Sequence, residues 1–348
     1  MPFSTPNRVL VTGGAGFIGS HMALLLTQSG HSVAIVDDCT GAKPGVIDAL
    51  RHASPSGSIS FQQVSILESD RLARIMRDEK INAVAHFAGL ASVAESFERP
   101  HDYWSTNVEG TTSLLRSMAD SGVRRLIFNS SCATYGVPAT TSIPISEECP
   151  QRPINPYGAS KAAAELAIIE HHRSGQIRGD EFAFVALRCF NVIGSDPSGR
   201  IGENHRRNSR LIPACLFACL GRREPLVIMG DDYPTTDGTC IRDYVDVGDL
   251  CRAHLAVLHR LRPRDALRLN VGTGVGHSVL EIARACQRVT GIAVPVVRGA
   301  RREGEPPTLI ADASKILREY GWKPAVTSID ESIMNTWKWI LTHPDGHR

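Results

Sequence analysis

A tyrosine and a lysine four residues apart, Tyr157 and Lys161, open the alanine-rich stretch NPYGASKAAAEL at 155–166, which reads as a helix. On a helix that spacing is about one turn and puts both side chains on one face, with Cβ atoms roughly 5–6 Å apart. A free phenol has a pKa of about 10, too high for a base at neutral pH. A cation one turn away favours the phenolate and lowers that value. The expectation is a tyrosine tuned downward by Lys161 that takes a proton from a hydroxyl as hydride leaves the same carbon. Read alone, NPY is equally a capped helix start with an incidental surface pair. The stretch RRLIFNSS supplies a neighbour, because Ser130 and Ser131 end a strand pattern. A hydroxyl at the carboxyl edge of a parallel strand points into the crevice where ligands bind, so Ser131 can share the substrate hydroxyl with Tyr157.

Hydride needs an acceptor, and the chain start carries a phosphate-binding turn. VLVTGGAGFIGSH sets Gly13, Gly16 and Gly19 between a strand pattern and a helix pattern. In that context the glycines serve a tight turn, close backbone approach to a pyrophosphate, and close packing of helix on sheet. The helix N-terminus adds bare N–H groups and the positive dipole end. The next strand ends in IVDD, placing Asp37 eighteen residues past Gly19. A carboxylate there accepts both ribose hydroxyls and repels a 2′-phosphate, which favours NAD over NADP; Asp38 takes the role if the strand ends one residue later. An oxidised nicotinamide ring would itself favour the Tyr157 phenolate.

The elements that must position these residues follow from periodicity. RVLVT, SVAIVD, SISFQQV, AVAHFA, RRLIFNSS and FAFVALR alternate with helical patterns through the first half. That alternation predicts a parallel, doubly wound α/β (Rossmann) sheet. Beyond Arg188 the loops turn rich in Gly, Pro and Asp, as in GSDPSGRIGEN and GDDYPTTDGT, and predict a smaller α+β substrate-binding C-terminal domain. The boundaries read as 1–188 for the dinucleotide-binding domain, with later segments rejoining it, and 189–348 for the substrate domain. At 348 residues with net charge +2 and scattered basic residues, Arg206, Arg207 and Arg210 included, nothing argues for nucleic acid. Nine cysteines lack disulfide or zinc spacing, and Cys215 and Cys219 in LIPACLFACL read as helix core, so no metal is expected. No signal pattern or membrane span is evident, which predicts a cytoplasmic protein.

Taken together, Gly13-x-x-Gly16-x-x-Gly19, Asp37, HFAG at 86–89, Asn107, Ser131, Tyr157-x-x-x-Lys161 and RCFN at 188–191 resemble the extended short-chain dehydrogenase/reductase family. GDDYPTTDGTCIRDYVDV at 230–247, NVGTGVGHSVLE at 270–281 and RREGEPP at 301–307 resemble its UDP-glucose 4-epimerase branch. The resemblance implies a nucleotide-sugar 4-epimerase in which NAD oxidises C4 and returns hydride to the opposite face of a 4-keto sugar. It implies Tyr157 as base then acid, Ser131 as hydrogen-bonding partner, and Lys161 on the nicotinamide ribose. Cofactor contacts carry over to Gly13, Gly16, Phe17, Ile18, Gly19, Asp37, Ser65, Ile66, Phe87, Ala88, Gly89, Asn107, Tyr157 and Lys161. Asn191, Arg242 and Arg302 would hold a nucleotide diphosphate, with Glu305 on a ribose. Leu211 and Met229 would line the base, and Arg210 is either a further diphosphate contact or surface charge. The family commonly forms homodimers through two helices, here 104–122 and 157–172. Leu114, Leu115, Met118, Leu166 and Ile169 are read as their outward faces, or as internal core.

Several positions depart from the epimerase pattern. An adenine-reading Asp is replaced within Val64-Ser65-Ile66, a lysine near the cofactor phosphates by Ala91, and the Tyr of a Tyr-Phe-Asn run by Cys189. Met229 stands where an aromatic commonly stacks on the base, and Leu309 where residue size gates N-acetyl sugars. Cys132 and Ala133 occupy the places of the dehydratases' Asp-Glu pair, and neither can do that proton chemistry. The leading expectation is the UDP-glucose/UDP-galactose reaction, with a UDP-pentose, UDP-uronate, UDP-N-acetylhexosamine or non-UDP sugar as alternatives. A reductase or dehydrogenase, and a catalytically silent NAD-binding regulator, are the rival classes. The losses at Ser65, Ala91 and Cys189 predict that NAD exchanges readily: denaturing the purified protein should release less than one equivalent, and a full equivalent would count against it.

Overall fold

The computed structural model describes Phe3, residues 5–203 and residues 210–347; Arg206 and Arg207 lie outside the described residues. The strands are β1 (Arg8–Thr12), β2 (Ser32–Asp37), β3 (Ile59–Gln63), β4 (Ala83–His86), β5 (Arg125–Ser131), β6 (Ala183–Cys189) and β7 (Asn191–Ile193). They continue as β8 (Leu226–Met229), β9 (Ile241–Asp246), β10 (Ala266–Val271), β11 (Gly276–Ser278), β12 (Val296–Gly299) and β13 (Thr308–Leu309). The helices are α1 (Phe17–Gln28), α2 (Gly45–Ala53), α3 (Ser69–Asp78), α4 (Val93–Glu98), α5 (Pro100–Trp104) and α6 (Gly110–Ser121). After them come α7 (Pro156–Ile177), α8 (Leu211–Cys219), α9 (Val247–Arg260), α10 (Val279–Thr290), α11 (Ser314–Tyr320) and α12 (Ile329–Thr342).

Seven parallel strands form one sheet in the order β10-β6-β5-β4-β1-β2-β3. β1, β2 and β4 are apolar on both faces, so successive residues feed opposite cores, as a sheet covered on both sides requires, while the edge strand β3 is only partly buried. Val9 and Val11 join the core under α1 and α9, whereas Leu10 joins the one under α3, α6 and α7. The same split runs through β6, with Ala183, Val185 and Leu187 on one side and Phe184 and Ala186 on the other. The sheet is a doubly wound Rossmann arrangement, and its order reverses between β1 and β4, where such folds open a crevice at the carboxyl ends.

Past Cys189 the chain builds two small sheets, one with β9 central to β7, β11 and β13, the other β8 beside β12. A separate core gathers Ile212, Cys215, Leu216, Ile282, Cys286, Ile333 and Trp339 from α8, α10 and α12. β10 returns from this half to the edge of the large sheet beside β6, and α9 and α11 pack on the same sheet's core. All nine cysteines are free. Among the described residues no helix is long and apolar enough to cross a membrane, and no cluster of His, Cys, Asp or Glu could hold a metal ion.

The helix faces decide between the two readings of Leu114, Leu115 and Met118. Leu114, Leu115 and Met118 do not face outward: they lie 0–3 % exposed in the core between α6 and the sheet. Ile169 is partly buried against the same core, and Leu166 is exposed. The apolar stripe of α6 is simply the stripe that meets β4 and β5.

Candidate active site

The glycine turn is built by sterics. Gly13 sits at φ +69°, and a Cβ there would stand 2.5 Å from the Ala88 nitrogen, so β1 and the segment after β4 close on each other only without a side chain. A Cβ on Gly19 would meet the Gly13 carbonyl oxygen at 2.2 Å. α1 therefore starts tightly over the turn, with Phe17 as its first residue, no side chain capping it and no acidic residue in its first turn. Asp37 ends β2 beside the turn, where its Oδ2 accepts from the Ala15 N–H at 3.0 Å and its Oδ1 from Cys39 at 2.8 Å. Asp38 turns away and is occupied by Thr40. The turn and carboxylate thus fit a dinucleotide, with Asp37 rather than Asp38 facing it.

On the far side of the crevice, Phe87, Ala88 and Gly89 follow β4. A Cβ on Gly89 would lie 2.8 Å from Asn107 Oδ1. That asparagine occupies a π-helical segment, Ser105–Glu109, of the kind that recurs at functional sites. Its Oδ1 accepts from the Leu90 N–H at 2.8 Å, and its Nδ2 donates to the Leu90 carbonyl at 3.0 Å and to Ser160 Oγ at 2.8 Å. Asn107 thereby ties the segment after β4 to α7. Ser65 forms the turn into α3, its Oγ accepting from Leu67, while Ile66 is buried against Gly110.

α7 begins as its sequence suggests: Asn155 caps it by accepting from the Gly158 N–H at 2.8 Å, and Pro156 fills the first turn. Tyr157 and Ser131 border one cavity of about 790 Å³, also lined by Ile18, Asn191, Leu211, Met229, Arg242 and Arg302. Ser131 also caps the short turn after β5, its Oγ accepting from the Ala133 N–H at 3.2 Å. The Tyr103 ring meets Tyr157 edge-on at 6.3 Å.

The electrostatics overturn the expected tuning. Burial pushes the Tyr157 phenol up from its ordinary value, Cys189 adds to this, and Ser131 and Arg210 oppose it. Lys161 is not among the chief influences on the phenol. Its Nζ lies 4.3 Å over the Phe128 ring, and burial lowers its pKa to about 8. One helical turn puts two Cβ atoms near each other but does not decide where two long side chains end. The polypeptide by itself therefore holds Tyr157 as a proton carrier in its protonated form.

Beneath the site runs a buried network that periodicity could have signalled but residue type did not. Glu165 lies one turn beyond Lys161, 1 % exposed, and Arg188 of β6 is 2 % exposed. Arg188 Nη2 donates to Glu165 Oε2 at 2.7 Å, its Nε to Oε1 at 3.0 Å, and its Nη1 to the Tyr135 hydroxyl at 3.0 Å. Ser130 Oγ donates to Glu165 Oε1 at 2.5 Å, Gln151 donates to Oε2 at 3.0 Å, and Tyr135 donates to Asn270 Oδ1 of β10 at 2.7 Å. Four elements are pinned directly under Ser131 and Tyr157.

Arg242, also on the cavity, donates to the Ile241 carbonyl at 2.8 Å and has no carboxylate partner among the described residues. Arg302 is paired with Glu305 at 2.9 Å. Leu309, 5 % exposed, pairs with Arg242 across the β13–β9 register. Arg210 lines the same cavity, its guanidinium stacked 4.8 Å over Phe17 and beside Glu203, a residue with no sequence signal.

The model of the NAD dependent epimerase/dehydratase family matches residues 9–272. A UDP-glucose 4-epimerase of Lactobacillus helveticus is 41 % identical over 342 residues, covering 98 % of this chain and 99 % of that one. UDP-arabinose 4-epimerase 1 of Arabidopsis thaliana is 40 % identical, covering 98 % of this chain and 81 % of that one. The crystal structure of UDP-glucose-4-epimerase from Stenotrophomonas maltophila, with bound NAD and formylated UDP-arabinopyranose, superposes with a TM-score of 0.89 at 37 % identity, covering 96 % of this chain and 98 % of that one.

Removing one partner of the buried pair leaves a charge unpaired, at a cost of about 3–5 kcal/mol, whereas an apolar pair of similar volume is close to neutral. Glu165→Leu should therefore lower stability in urea by that amount, and adding Arg188→Met should restore most of it. Equal and additive losses would show that the two side chains are not coupled.

Proposed function

This chain belongs to the NAD dependent epimerase/dehydratase family, and from that premise we propose that it is a UDP-sugar 4-epimerase of the UDP-glucose/UDP-galactose type. The observation that carries the reading is one cavity lined by Tyr157 and Ser131 together with Arg242 and Arg302. A cavity of about 790 Å³ suits a ligand of that size. Residues 1–188 would hold the cofactor, with Gly13, Gly16, Gly19 and Asp37 as its cradle, and residues 189–348 the nucleotide sugar. Trp104 and Leu166 are 49 % and 57 % exposed on the adjoining α5 and α7, which supports a homodimer through these helices. Nine free thiols support a reducing, cytoplasmic setting.

Bound NAD supplies the hydride acceptor and donor at C4 of the sugar. Tyr157 Oη takes the proton of the 4-hydroxyl and later returns it to the same oxygen. Because burial disfavours its phenolate, that proton transfer must be helped by charge brought in with the ligands. Ser131 Oγ hydrogen-bonds the reacting oxygen and fixes it against Tyr157. Lys161, beside the Phe128 ring, would donate to the nicotinamide ribose, and Asn107 keeps α7 and the segment after β4 in register. Arg242 and Arg302 offer planar forks to the diphosphate, Arg302 by exchanging its bond with Glu305. Met229 gives the base apolar cover.

A pentose substrate is the second reading, because the plant relatives named UDP-arabinose 4-epimerases match as well as the bacterial ones. Incubation with UDP-galactose and, separately, UDP-arabinose should yield the C4 isomer without lasting NADH absorbance. A steady rise in NADH would select a dehydrogenase, and no turnover of any nucleotide sugar would select a silent NAD-binding protein. Tyr157→Phe should lower kcat by about 10²–10⁴-fold while leaving NAD content and UDP affinity unchanged. Light scattering should give the mass of a dimer, and Leu166→Glu should shift it to that of a single chain.

A further inference from the structure

Glu203 lines the cavity, its side chain is 6 % exposed, and its Oε1 accepts no hydrogen bond. Arg210 Nε stands 3.3 Å from that oxygen. The guanidinium is otherwise stacked 4.8 Å over the ring of Phe17, the first residue of α1, and no other acceptor holds it among the described residues. A buried carboxylate is costly to desolvate, and proximity to a cation repays that only when hydrogen bonds complete the pair. Here they do not. Burial pushes the Glu203 carboxyl up from its usual range, and Arg210 opposes the shift without offsetting it.

Among the described residues, then, the Nη groups of Arg210 have no acceptor, and its guanidinium lies over the first residue of a helix without a side-chain cap. It lies on the cavity that also holds Tyr157 and Arg242. A diphosphate offers this fork two parallel hydrogen bonds, which the single off-axis contact to Glu203 does not match. We propose that Glu203 is an internal counter-ion which Arg210 leaves when a diphosphate enters, so that the pair sets how tightly diphosphate ligands are held and how fast they depart. The inference rests on the nucleotide-sugar reading above only for which ligand brings the diphosphate. Both the dinucleotide at α1 and the nucleotide sugar at the Arg242 wall carry one.

Because ligand and carboxylate compete for one guanidinium, removing the carboxylate strengthens binding. That sign separates a counter-ion from an ordinary supporting residue, whose loss weakens binding. Titration of UDP into the NAD-loaded full chain is one arm, and the rate of exchange of bound NAD against labelled NAD is the other. Glu203→Gln, and Glu203→Ala as the second variant, should tighten UDP roughly threefold to tenfold, or slow NAD exchange by a similar factor, with Arg210 present. Whichever arm responds identifies the source of the diphosphate. In an Arg210→Met background neither Glu203 substitution should change either quantity. Unchanged or weaker binding in both arms with Arg210 present, or the same gain without it, would overturn the proposal. If the unaltered chain does not bind UDP, the nucleotide-sugar reading fails, and the NAD-exchange arm alone decides the pair.

Discussion

The buried ion pair between Glu165 and Arg188 is the constraint on which the site's geometry depends. α7 carries Tyr157, Lys161 and Glu165 at successive turns, and only the last is fastened to the sheet by a charged, multiply hydrogen-bonded contact. Arg188 reaches it from β6, Ser130 from β5, and Tyr135 relays the contact to Asn270 on β10. The residues next to these anchors, Ser131 and Cys189, line the cavity. Ser131 thus sits one residue from a buried network, and Tyr157 two helical turns from its anchor Glu165 on the same helix.

That arrangement also explains why β10 comes back from the second half of the chain. Its Asn270 accepts from Tyr135 and donates to the Ile145 carbonyl at 2.7 Å, so the sheet edge, the active helix and the loop before it share one set of hydrogen bonds. A site formed between two halves must keep them in register, and a strand exchanged from one to the other does so through the backbone ladder.

The charges around the cavity follow a common pattern. Arg302 rests on Glu305, Arg210 lies beside Glu203, and Lys161 rests on the Phe128 ring. Each of these three cations has a local partner within the protein. Tyr157 is the counterpart: burial keeps it protonated, and the charge that would ionise it arrives with the ligands.

The strands, the glycine turn, the capped start of α7 and the Tyr157–Ser131 pairing were legible in the sequence, because each rests on local chemistry: side-chain period, a backbone that tolerates no Cβ, an Asn-Pro helix start. The choice of Asp37 over Asp38 required only the strand end, which the structure supplies. Other features needed the packed chain. Leu114, Leu115 and Met118 form a stripe that periodicity detects, but periodicity does not say whether a sheet or a second subunit covers it. Lys161 shares a helix face with Tyr157, yet its ammonium goes to an aromatic ring from β5. Glu203 comes from a Gly- and Pro-rich loop with no motif, and its place beside Arg210 and Phe17 is seen only in the packed chain. Sequence determined which residues are capable of the chemistry; tertiary structure decided which charges face which, since side-chain ends separated by long stretches of chain meet only through packing.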